Sequence, residues 1–353
     1  MITFFFEGTS HGEGYRGKIC GLPVGATFSV AYVNDQLRLR KCGYGRSARQ
    51  SYDDICVFDG VEGDVVTVHG DIDFFVPNHT DNVQRRAEIT ALRSGHADLV
   101  GQARYKGLSA RDISEIASAR SSLCYVVLGA ICKQILDTYG IFTYSYVTEI
   151  GGICAETQYV VGETERQDYF AKMHCADPNA TEQMCIAADN ARAQGDSLGG
   201  RVCVVCSGVP MGVGDIVPYA KRLDARIAAN LVGIPSVKGV EFGAGFAAAE
   251  LRGSENNDAF RVENGRVVTE TNHCGGILGG ILALICQPSV IAQLSGDAEL
   301  TAGGAYRVIT KAMYGTISMN TGDPAVDALF TSKGMAGMLN TVWLIICAMC
   351  FGG

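Results

Sequence analysis

Basic side chains concentrate in one part of this chain. Between Leu37 and Ser51 the sequence carries five basic residues and no acidic one, around a flexible Gly43-Tyr-Gly45 segment, and six more arginines follow between residues 85 and 120. A guanidinium group is a planar fork that binds carboxylate or phosphate in a bidentate way, so the cluster favours a site for a small polyanion. The alternative is a solvated face whose arginines pair with distant acids. The basic residues are Arg38, Arg40, Lys41, Arg46, Arg49, Arg85, Arg86, Arg93, Arg104, Arg111 and Arg120.

Two of the six histidines lie beside glycine, where the backbone can approach a ligand closely. His11 lies in Thr9-Ser-His-Gly-Glu13, and His96 lies in Arg93-Ser-Gly-His-Ala-Asp98. Imidazole titrates near neutrality, which suits both residues for proton transfer; the alternative is that they are surface loop histidines. No two histidines have the HxxxH spacing of a helical metal site, so we predict no metal.

The overall composition excludes several classes of protein. The 353 residues include 29 basic and 37 acidic ones, a net charge of −8, which argues against general binding of nucleic acid. Hydrophobic residues make up 47% of the chain, enough to bury a core. No GxSxG, Walker loop or strand-linked GxGxxG motif is present, which removes the commonest hydrolase and nucleotide-binding fingerprints.

The 14 cysteines are predicted to be reduced thiols of a cytoplasmic protein, because the N-terminal residues lack the basic region of a secretory signal. Cys203-Val-Val-Cys206 has the spacing of a metal-binding pair, but it lies in a predicted strand, where residues three apart point to opposite faces. We therefore favour structural thiols over a metal site. The apolar segment 335–351 is predicted to be a buried or interface helix, with a membrane anchor as the alternative.

Alternating helices and strands must position these side chains. Apolar residues at helical spacing predict a helix from Ala110 to Tyr139 that ends at Gly140. The sequence also predicts helices over 178–195 and 219–232, a hairpin over 56–68, a strand over 201–208, and a strand and turn over 237–246. Because no linker, repeat or low-complexity tract interrupts them, we expect residues 1–353 to form one large α+β domain.

Ten short stretches together resemble the chorismate synthase family, in the family's order and at close to its spacing over residues 1 to about 281. They are Ser10-His-Gly12, Gly43-Tyr-Gly-Arg-Ser-Ala-Arg49, Arg93-Ser-Gly-His-Ala-Asp98, Ala117-Ser-Ala-Arg120, Gly195-Asp-Ser-Leu-Gly-Gly200, Ser207-Gly-Val-Pro-Met-Gly-Val-Gly214, Leu223-Asp-Ala-Arg226, Val237-Lys-Gly-Val-Glu-Phe-Gly243, Leu251-Arg-Gly-Ser-Glu-Asn-Asn-Asp258 and Thr271-Asn-His-Cys-Gly-Gly-Ile-Leu-Gly-Gly-Ile281.

The resemblance implies the family's α+β fold, a sandwich of two antiparallel sheets around a helical layer, assembled as a homotetramer. It also implies the family's reaction in aromatic amino acid biosynthesis, in which 5-enolpyruvylshikimate 3-phosphate loses its phosphate and a ring hydrogen in a 1,4-elimination to give chorismate. This reaction requires reduced FMN, and the sequence leaves open whether NADPH reduces the flavin on this chain. The substrate is a small anion, as the arginine cluster indicates. Neither a nucleic acid nor a membrane is an expected partner.

The matching motifs imply roles for particular residues. His11 would protonate the departing phosphate, His96 would stabilise the charge at flavin N1, and Asp323 would act at flavin N5. Arg40, Arg46 and Arg120 would bind the substrate. The positions that match the family's FMN contacts are Ala117, Ser118, Ser236, Gly279, Lys311 and Thr316.

The sequence departs from the family's motifs at several places. Ile116 stands where the family has an arginine, and the family's Arg-His-Asp-Pro segment is reduced to Thr321-Gly-Asp-Pro324. Residues 282–303 are predicted to be an insertion. Two hypotheses follow: a working, divergent chorismate synthase, or a paralogue that keeps a flavin or polyanion pocket but has altered or lost the chemistry.

Overall fold

The computed structural model of this chain describes residues 2–45, 52–61, 63–79, 87–157, 170–210, 213–215, 219–263 and 266–277. The chain divides into two compact units, Met1–Val209 and Pro210–Gly353. The single domain expected over residues 1–353 stays a prediction. The predicted insertion at 282–303 and the apolar segment 335–351 lie outside the described residues.

The first unit contains the larger share of the described secondary structure. Its strands are β1 (Thr3–Gly8), β2 (Gly14–Cys20), β3 (Thr27–Ser29), β4 (Val57–Phe58), β5 (Val65–Thr67), β6 (Ile72–Pro77), β7 (Phe142–Ile150), β8 (Ile153–Cys154) and β9 (Gly200–Ser207). Its helices are α1 (Val30–Lys41), α2 (Asp98–Arg104), α3 (Ala110–Ile116), α4 (Ser122–Asp137), α5 (Phe170–Met173) and α6 (Pro178–Ala193), with a 3₁₀ turn at Ala119–Ser121.

The described part of the second unit is smaller. It contains α7 (Leu223–Val232), α8 (Gly253–Asn256), an antiparallel hairpin of β10 (Phe260–Glu263) and β11 (Arg266–Thr269), and 3₁₀ turns at Tyr219–Lys221 and Gly245–Glu250.

The sheets of the first unit are antiparallel and pack against helices. One sheet has the order β1-β2-β6-β4, a second has the order β8-β7-β9, and β3 pairs with β5. Helix α4 contacts β2 and β3 as well as β7, and it also packs against α1. The main core lies at these contacts, and its fully buried members include Ile19, Leu37, Val76, Leu123 and Ile131. The predicted α+β fold with antiparallel sheets and a helical layer is therefore confirmed.

The helix predicted over 110–139 is interrupted and forms two separate helices. Helix α3 ends at Ile116, and α4 begins at Ser122. Between them, Ser118 adopts an extended conformation (φ −70°, ψ 138°), and its side chain accepts a hydrogen bond from the backbone N–H of Arg120. A serine that caps a new turn competes with a continuous helix, which is why the apolar periodicity did not reveal the break. Gly140, at φ 72°, follows the end of α4 as predicted.

The hairpin predicted over 56–68 is wrong in its pairing. Both strands form, but β4 pairs with β6 and β5 pairs with β3, so the two strands belong to different sheets. Phe58 is buried in the core beside Phe74, with ring centroids 6.4 Å apart. Alternating apolar residues predict that a strand forms and which face is buried, but they do not name its partner.

The strand predicted over 237–246 is also wrong. No strand is present there, and a 3₁₀ turn begins at Gly245. Gly243 and Gly245 have φ angles of 59° and 55°, which an extended strand does not contain. The other predicted elements are confirmed within a few residues, as α6, β9 and α7.

The described cysteines agree with the prediction of thiols. Eleven cysteines lie in the described ranges, and all eleven are free. Cys203 and Cys206 are paired across β7 and β9 with Tyr146 and Thr143, so they lie on opposite faces of the sheet. No group of three or more metal-ligating side chains occurs among the residues that the structure describes. In the same part of the chain, one stretch, Ala110–Asp137, is long and apolar enough to cross a membrane. It comprises α3, the 3₁₀ turn and α4, and it contributes six buried residues of α4 to the core.

Candidate active site

His11 lies on the short turn between β1 and β2, held by a carboxylate from α3. Its Nδ1 atom lies 2.7 Å from Oε2 of Glu115. The buried Ser10 hydroxyl donates to the same oxygen at 2.5 Å. The side chains of His11 and Glu115 are only 10% and 13% exposed. A carboxylate at Nδ1 fixes the orientation of the ring and leaves proton transfer to Nε2, which is the arrangement of a positioned general acid.

Glu115 is kept ionised by its partners. Burial acts to raise its pKa, but the hydrogen bonds from Ser10 and His11 outweigh this effect, and the pKa of Glu115 lies below its ordinary value. Arg111, one helical turn earlier in α3, places Nη1 3.7 Å from Oε1 of Glu115. The imidazole of His11 and the guanidinium of Arg111 thus both lie beside an ionised carboxylate.

The turn that carries His11 is fixed at several points. Gly8 and Gly14, at its two ends, have φ angles of 145° and 150°, and a Cβ on Gly14 would lie 2.3 Å from the carbonyl oxygen of Val76. The Asn78 side-chain amide donates to the carbonyl oxygens of Thr9 and Gly12, at 3.1 and 2.8 Å. The turn therefore has little freedom to move His11.

Two of the predicted substrate arginines lie in one network of hydrogen bonds and ion pairs with this turn. Arg120 donates from Nε to Oδ1 of Asn78 and from Nη2 to Oδ1 of Asp54, both at 2.6 Å. Arg40, on α1, donates from Nη2 to the Ser122 hydroxyl at 2.9 Å, and its Nη1 lies 3.9 Å from Oδ2 of Asp54. The side chains of Arg40 and Arg120 are 22% and 15% exposed. The structure thus brings Arg40, Arg120 and His11 together through Asn78 and Asp54.

His96 has a similar environment to His11 at the start of α2. Its Nδ1 lies 2.7 Å from Oδ1 of Asp98, whose side chain is fully buried. Arg93 donates to both carboxylate oxygens of Asp98 at 2.9 Å, and it also donates to the Ser114 hydroxyl at 2.6 Å. These hydrogen bonds, above all those from Arg93, hold the pKa of Asp98 well below its usual range. Because Ser114 directly precedes Glu115, consecutive residues of α3 anchor the groups around both histidines.

A buried tyrosine lies close to the charged groups of the site. Tyr15, on β2, is 1% exposed, and its hydroxyl has no hydrogen-bond partner among the described residues. Burial is the largest of the effects that raise the pKa of Tyr15 to about 12, against the opposing positive charge of Arg120. The phenol therefore stays neutral near neutral pH and adds no charge to the site.

The structure describes three of the predicted FMN contacts. Ala117 and Ser118 lie directly between α3 and the 3₁₀ turn that carries Arg120. Ser236 belongs to the second unit, where it is exposed and has a φ of 75°, a backbone conformation that costs free energy for a residue other than glycine. Five predicted site residues lie outside the described ranges: Arg46, Gly279, Lys311, Thr316 and Asp323.

Three residues of the network were not predicted from the sequence. Glu115 could have been found, because it lies one turn after Arg111 and directly before Ile116, the position already noted as a departure. Asn78 and Asp54 had no local signal, since they meet Arg120 from 42 and 66 residues away.

Comparisons with known proteins place this chain in a family. The family model described as chorismate synthase matches residues 2–283. The chain belongs to the chorismate synthase family. A chorismate synthase of Carboxydothermus hydrogenoformans is 36% identical over 297 residues, which cover 80% of this chain and 77% of that protein. A chorismate synthase of Methanosarcina mazei is 37% identical over 319 residues, covering 85% and 84%.

The fold of a solved chorismate synthase also matches. A crystal structure of chorismate synthase aligns with a TM-score of 0.64 and 28% sequence identity, covering 79% of each chain. These findings confirm the predicted chorismate synthase function and the predicted enzyme class, a phosphate-eliminating lyase. Nothing in them favours the hypothesis of an altered or inactive paralogue.

Proposed function

We propose that this chorismate synthase eliminates phosphate from 5-enolpyruvylshikimate 3-phosphate with His11 as the proton donor and Arg40 and Arg120 as the anion-binding groups. The observation that carries the proposal is the pairing of His11 with Glu115 at 2.7 Å, on a turn joined through Asn78 to Arg120. An acid and a cationic site are the two groups that departure of a phosphate requires. Arg46 remains a proposed third substrate arginine.

The arginines bind and orient the substrate. Arg120 is oriented by Asn78 and Asp54, and Arg40 by Ser122, so both guanidinium groups are positioned before a ligand arrives. Preorganised charges stabilise developing negative charge without the cost of reorienting solvent. The leaving phosphate gains negative charge as its C–O bond breaks, and these two groups offset that charge.

His11 supplies a proton to the departing phosphate from Nε2. Glu115 and Ser10 hold the Nδ1 side of the ring at 2.7 and 3.0 Å, and these contacts keep its orientation fixed during the transfer. General acid catalysis by a positioned side chain contributes about 10²–10⁴ in rate.

Reduced FMN is the proposed cofactor, and the described residues fit it. His96, held by the buried Asp98 carboxylate, is the group that we propose to lie at flavin N1, and Ala117 and Ser118 directly precede the 3₁₀ turn that carries Arg120. When bound, the reduced flavin supplies electron density that assists the loss of phosphate. We propose Ser236, Gly279, Lys311 and Thr316 as further contacts to FMN, and Asp323 as the group that acts at flavin N5. NADPH as the source of electrons stays an open alternative.

We further propose that the protein acts in the cytoplasm as a homotetramer. The family resemblance supports the tetramer, and the eleven free thiols of the described ranges fit a reducing compartment. The substrate is a small molecule, and we propose neither a nucleic acid nor a membrane as a partner.

The test of the function is an anaerobic turnover assay with chemically reduced FMN. We expect the wild-type chain to release phosphate from 5-enolpyruvylshikimate 3-phosphate and to form chorismate. We expect His11→Ala to lower kcat by about 100-fold or more, because the proton donor is lost, with a thermal midpoint close to that of the wild type.

The matched control is His69→Ala, which removes an exposed histidine on the loop after β5. Its kcat should equal that of the wild type. An unchanged kcat in His11→Ala would overturn the proposed proton donor, and absence of phosphate release by the wild type would overturn the proposed reaction.

A further inference from the structure

A buried carboxylate lies between the two arginines assigned to the substrate. Asp54 directly precedes the segment that enters β4, and it is 6% exposed. Its Oδ1 atom is 2.6 Å from Nη2 of Arg120, and its Oδ2 atom is 3.9 Å from Nη1 of Arg40. Arg40 lies on α1 and Arg120 on the turn between α3 and α4, so one acid connects two separate elements.

This carboxylate is unexpected in an anion site. An ionised Asp54 repels a bound phosphate, and its burial costs free energy that two nearby cations offset. Oδ2 is buried and accepts no hydrogen bond from the described residues. Its contact with Arg40, at 3.9 Å, is an ion pair without a hydrogen bond. Affinity for the substrate therefore does not explain why an acid occupies this position.

The contacts of Arg120 suggest what Asp54 does. Asp54 and Asn78 both accept hydrogen bonds on the edge of the guanidinium formed by Nε and Nη2. The opposite side of the group, at Nη1, carries two further donors. Fixing one edge of the fork determines the direction in which the other edge points.

We propose that Asp54 is a positioning residue that orients Arg120 and offsets one of the two positive charges of the arginine pair. The inference rests on the proposed function. With Asp54 ionised, the pair presents a net charge of about +1 rather than +2 to a ligand. Inorganic phosphate, the product, has no carboxylate for other contacts, so its binding depends more strongly on these charges than that of the substrate, which has two carboxylates. Asp54 thus weakens the binding of the product relative to the substrate and favours its release.

The experiment compares Asp54→Asn with Asp53→Asn, its exposed neighbour in the sequence. The full-length chain is titrated with inorganic phosphate by calorimetry, and kcat, KM and product inhibition are measured in the anaerobic assay. We expect Asp54→Asn to bind inorganic phosphate about tenfold more tightly and to lose about tenfold in kcat, without a rise in KM. Asp53→Asn should behave as the wild type.

A third variant, Asp54→Glu, keeps the charge but moves the carboxylate by one methylene. It should bind phosphate as the wild type does, because the charge is kept. Its kcat should still be lowered, because the orientation of Arg120 changes. If Asp54→Asn does not fold, this variant tests whether Asp54 positions Arg120. Phosphate affinity and kcat equal to the wild type in the folded variants would overturn the inference. A failure of the proposed function is distinct from this result, since the wild-type chain would then release no phosphate.

Discussion

At the scale of single residues, the site is built from histidines and arginines whose positions are set by buried acids. His11 meets Glu115 and His96 meets Asp98, in each case through Nδ1 at 2.7 Å. Each pair holds its ring through the same nitrogen, Nδ1. The acids thus fix the orientation of both imidazole rings.

Asp98→Asn tests this dependence through pH. The hydrogen bonds from Arg93 lower the pKa of Asp98 in the folded state, so the ionised acid stabilises the fold above its unfolded pKa of about 3.9, and this contribution is lost as the pH falls further. We expect Asp98→Asn to reduce the free energy of unfolding at pH 7 by about 1–3 kcal/mol, with the difference from wild type shrinking below about pH 4. Urea unfolding at pH 7, 5 and 3.5 measures it.

The control for this prediction is Asp35→Asn. Asp35 is 63% exposed and forms a surface ion pair with Arg38, so its loss should change the free energy of unfolding by less than about 0.5 kcal/mol. A gap between Asp98→Asn and wild type that stays constant from pH 7 to pH 3.5 would contradict the role assigned to the ionised carboxylate.

The candidate reactive residues are easier to find in the sequence than the residues that hold them. His11 and His96 stand out locally because each is flanked by glycine, and the arginines stand out because acids are absent around them. Asp54 has no such signal, since an exposed Asp53 precedes it and nothing in that stretch indicates which of the two faces Arg120. Its role arises only when α1, β4 and the turn after α3 come together in the fold.

At the scale of elements, α2 and α3 pack closely enough to exclude a side chain between them. A Cβ on Gly101 of α2 would lie 2.3 Å from Cγ2 of Ile113 on α3. The contact fixes the helix that begins at Asp98 against the helix that carries Ser114 and Glu115. Close packing of these two short helices therefore sets the spacing of the two histidine environments.

Gly101→Ala tests this contact, with Gly129→Ala as its matched helical control. We expect Gly101→Ala to lower the free energy of unfolding by about 1–3 kcal/mol, because a β-branched neighbour cannot move aside. Gly129, exposed on α4 with nothing within 4 Å of its Cβ position, should instead gain about 0.5–1 kcal/mol from the higher helix propensity of alanine. Thermal and urea unfolding of both variants measure the effects, and equal stabilities would refute the contact.

Local patterns predicted most elements but not their ends or partners. The periodicity of α4 is strong because Leu123, Val127 and Ile131 face the core. The break at Ser118 depends on one serine side chain, and the separation of β4 from β5 depends on which strands are neighbours in three dimensions. Neither fact is contained in the apolar spacing of a single segment.

At the scale of the whole molecule, the core of the first unit joins the strands and helices that lead into the candidate site. The buried cluster includes Tyr15 and Ile19 of β2, Leu37 of α1 and Leu123 of α4. These elements carry Arg40 and lead directly from the turns that hold His11 and Arg120. Loss of core packing should therefore disturb the stability of the fold and the arginine network together.

Leu123→Ala tests this coupling, since Leu123 is fully buried in that cluster. We expect a loss of about 2–5 kcal/mol in the free energy of unfolding, from the cavity that the variant leaves. Leu99→Ala, which truncates a leucine that is 64% exposed on α2, should cost less than about 0.5 kcal/mol. Chemical denaturation followed by circular dichroism measures both, and a Leu123 variant as stable as the Leu99 variant would refute the assignment of this core.

The turn between β1 and β2 also affects how His11 regains its proton between turnovers. On the proposed function His11 gives up one proton in every cycle, yet Asn78 holds the carbonyls on both sides of it, and only a tenth of its side chain is open. Nδ1 stays on Glu115 at 2.7 Å, so the same nitrogen, Nε2, both gives up the proton and regains it. Each cycle then returns the acid to its starting form without a change in the hydrogen bond that orients the ring.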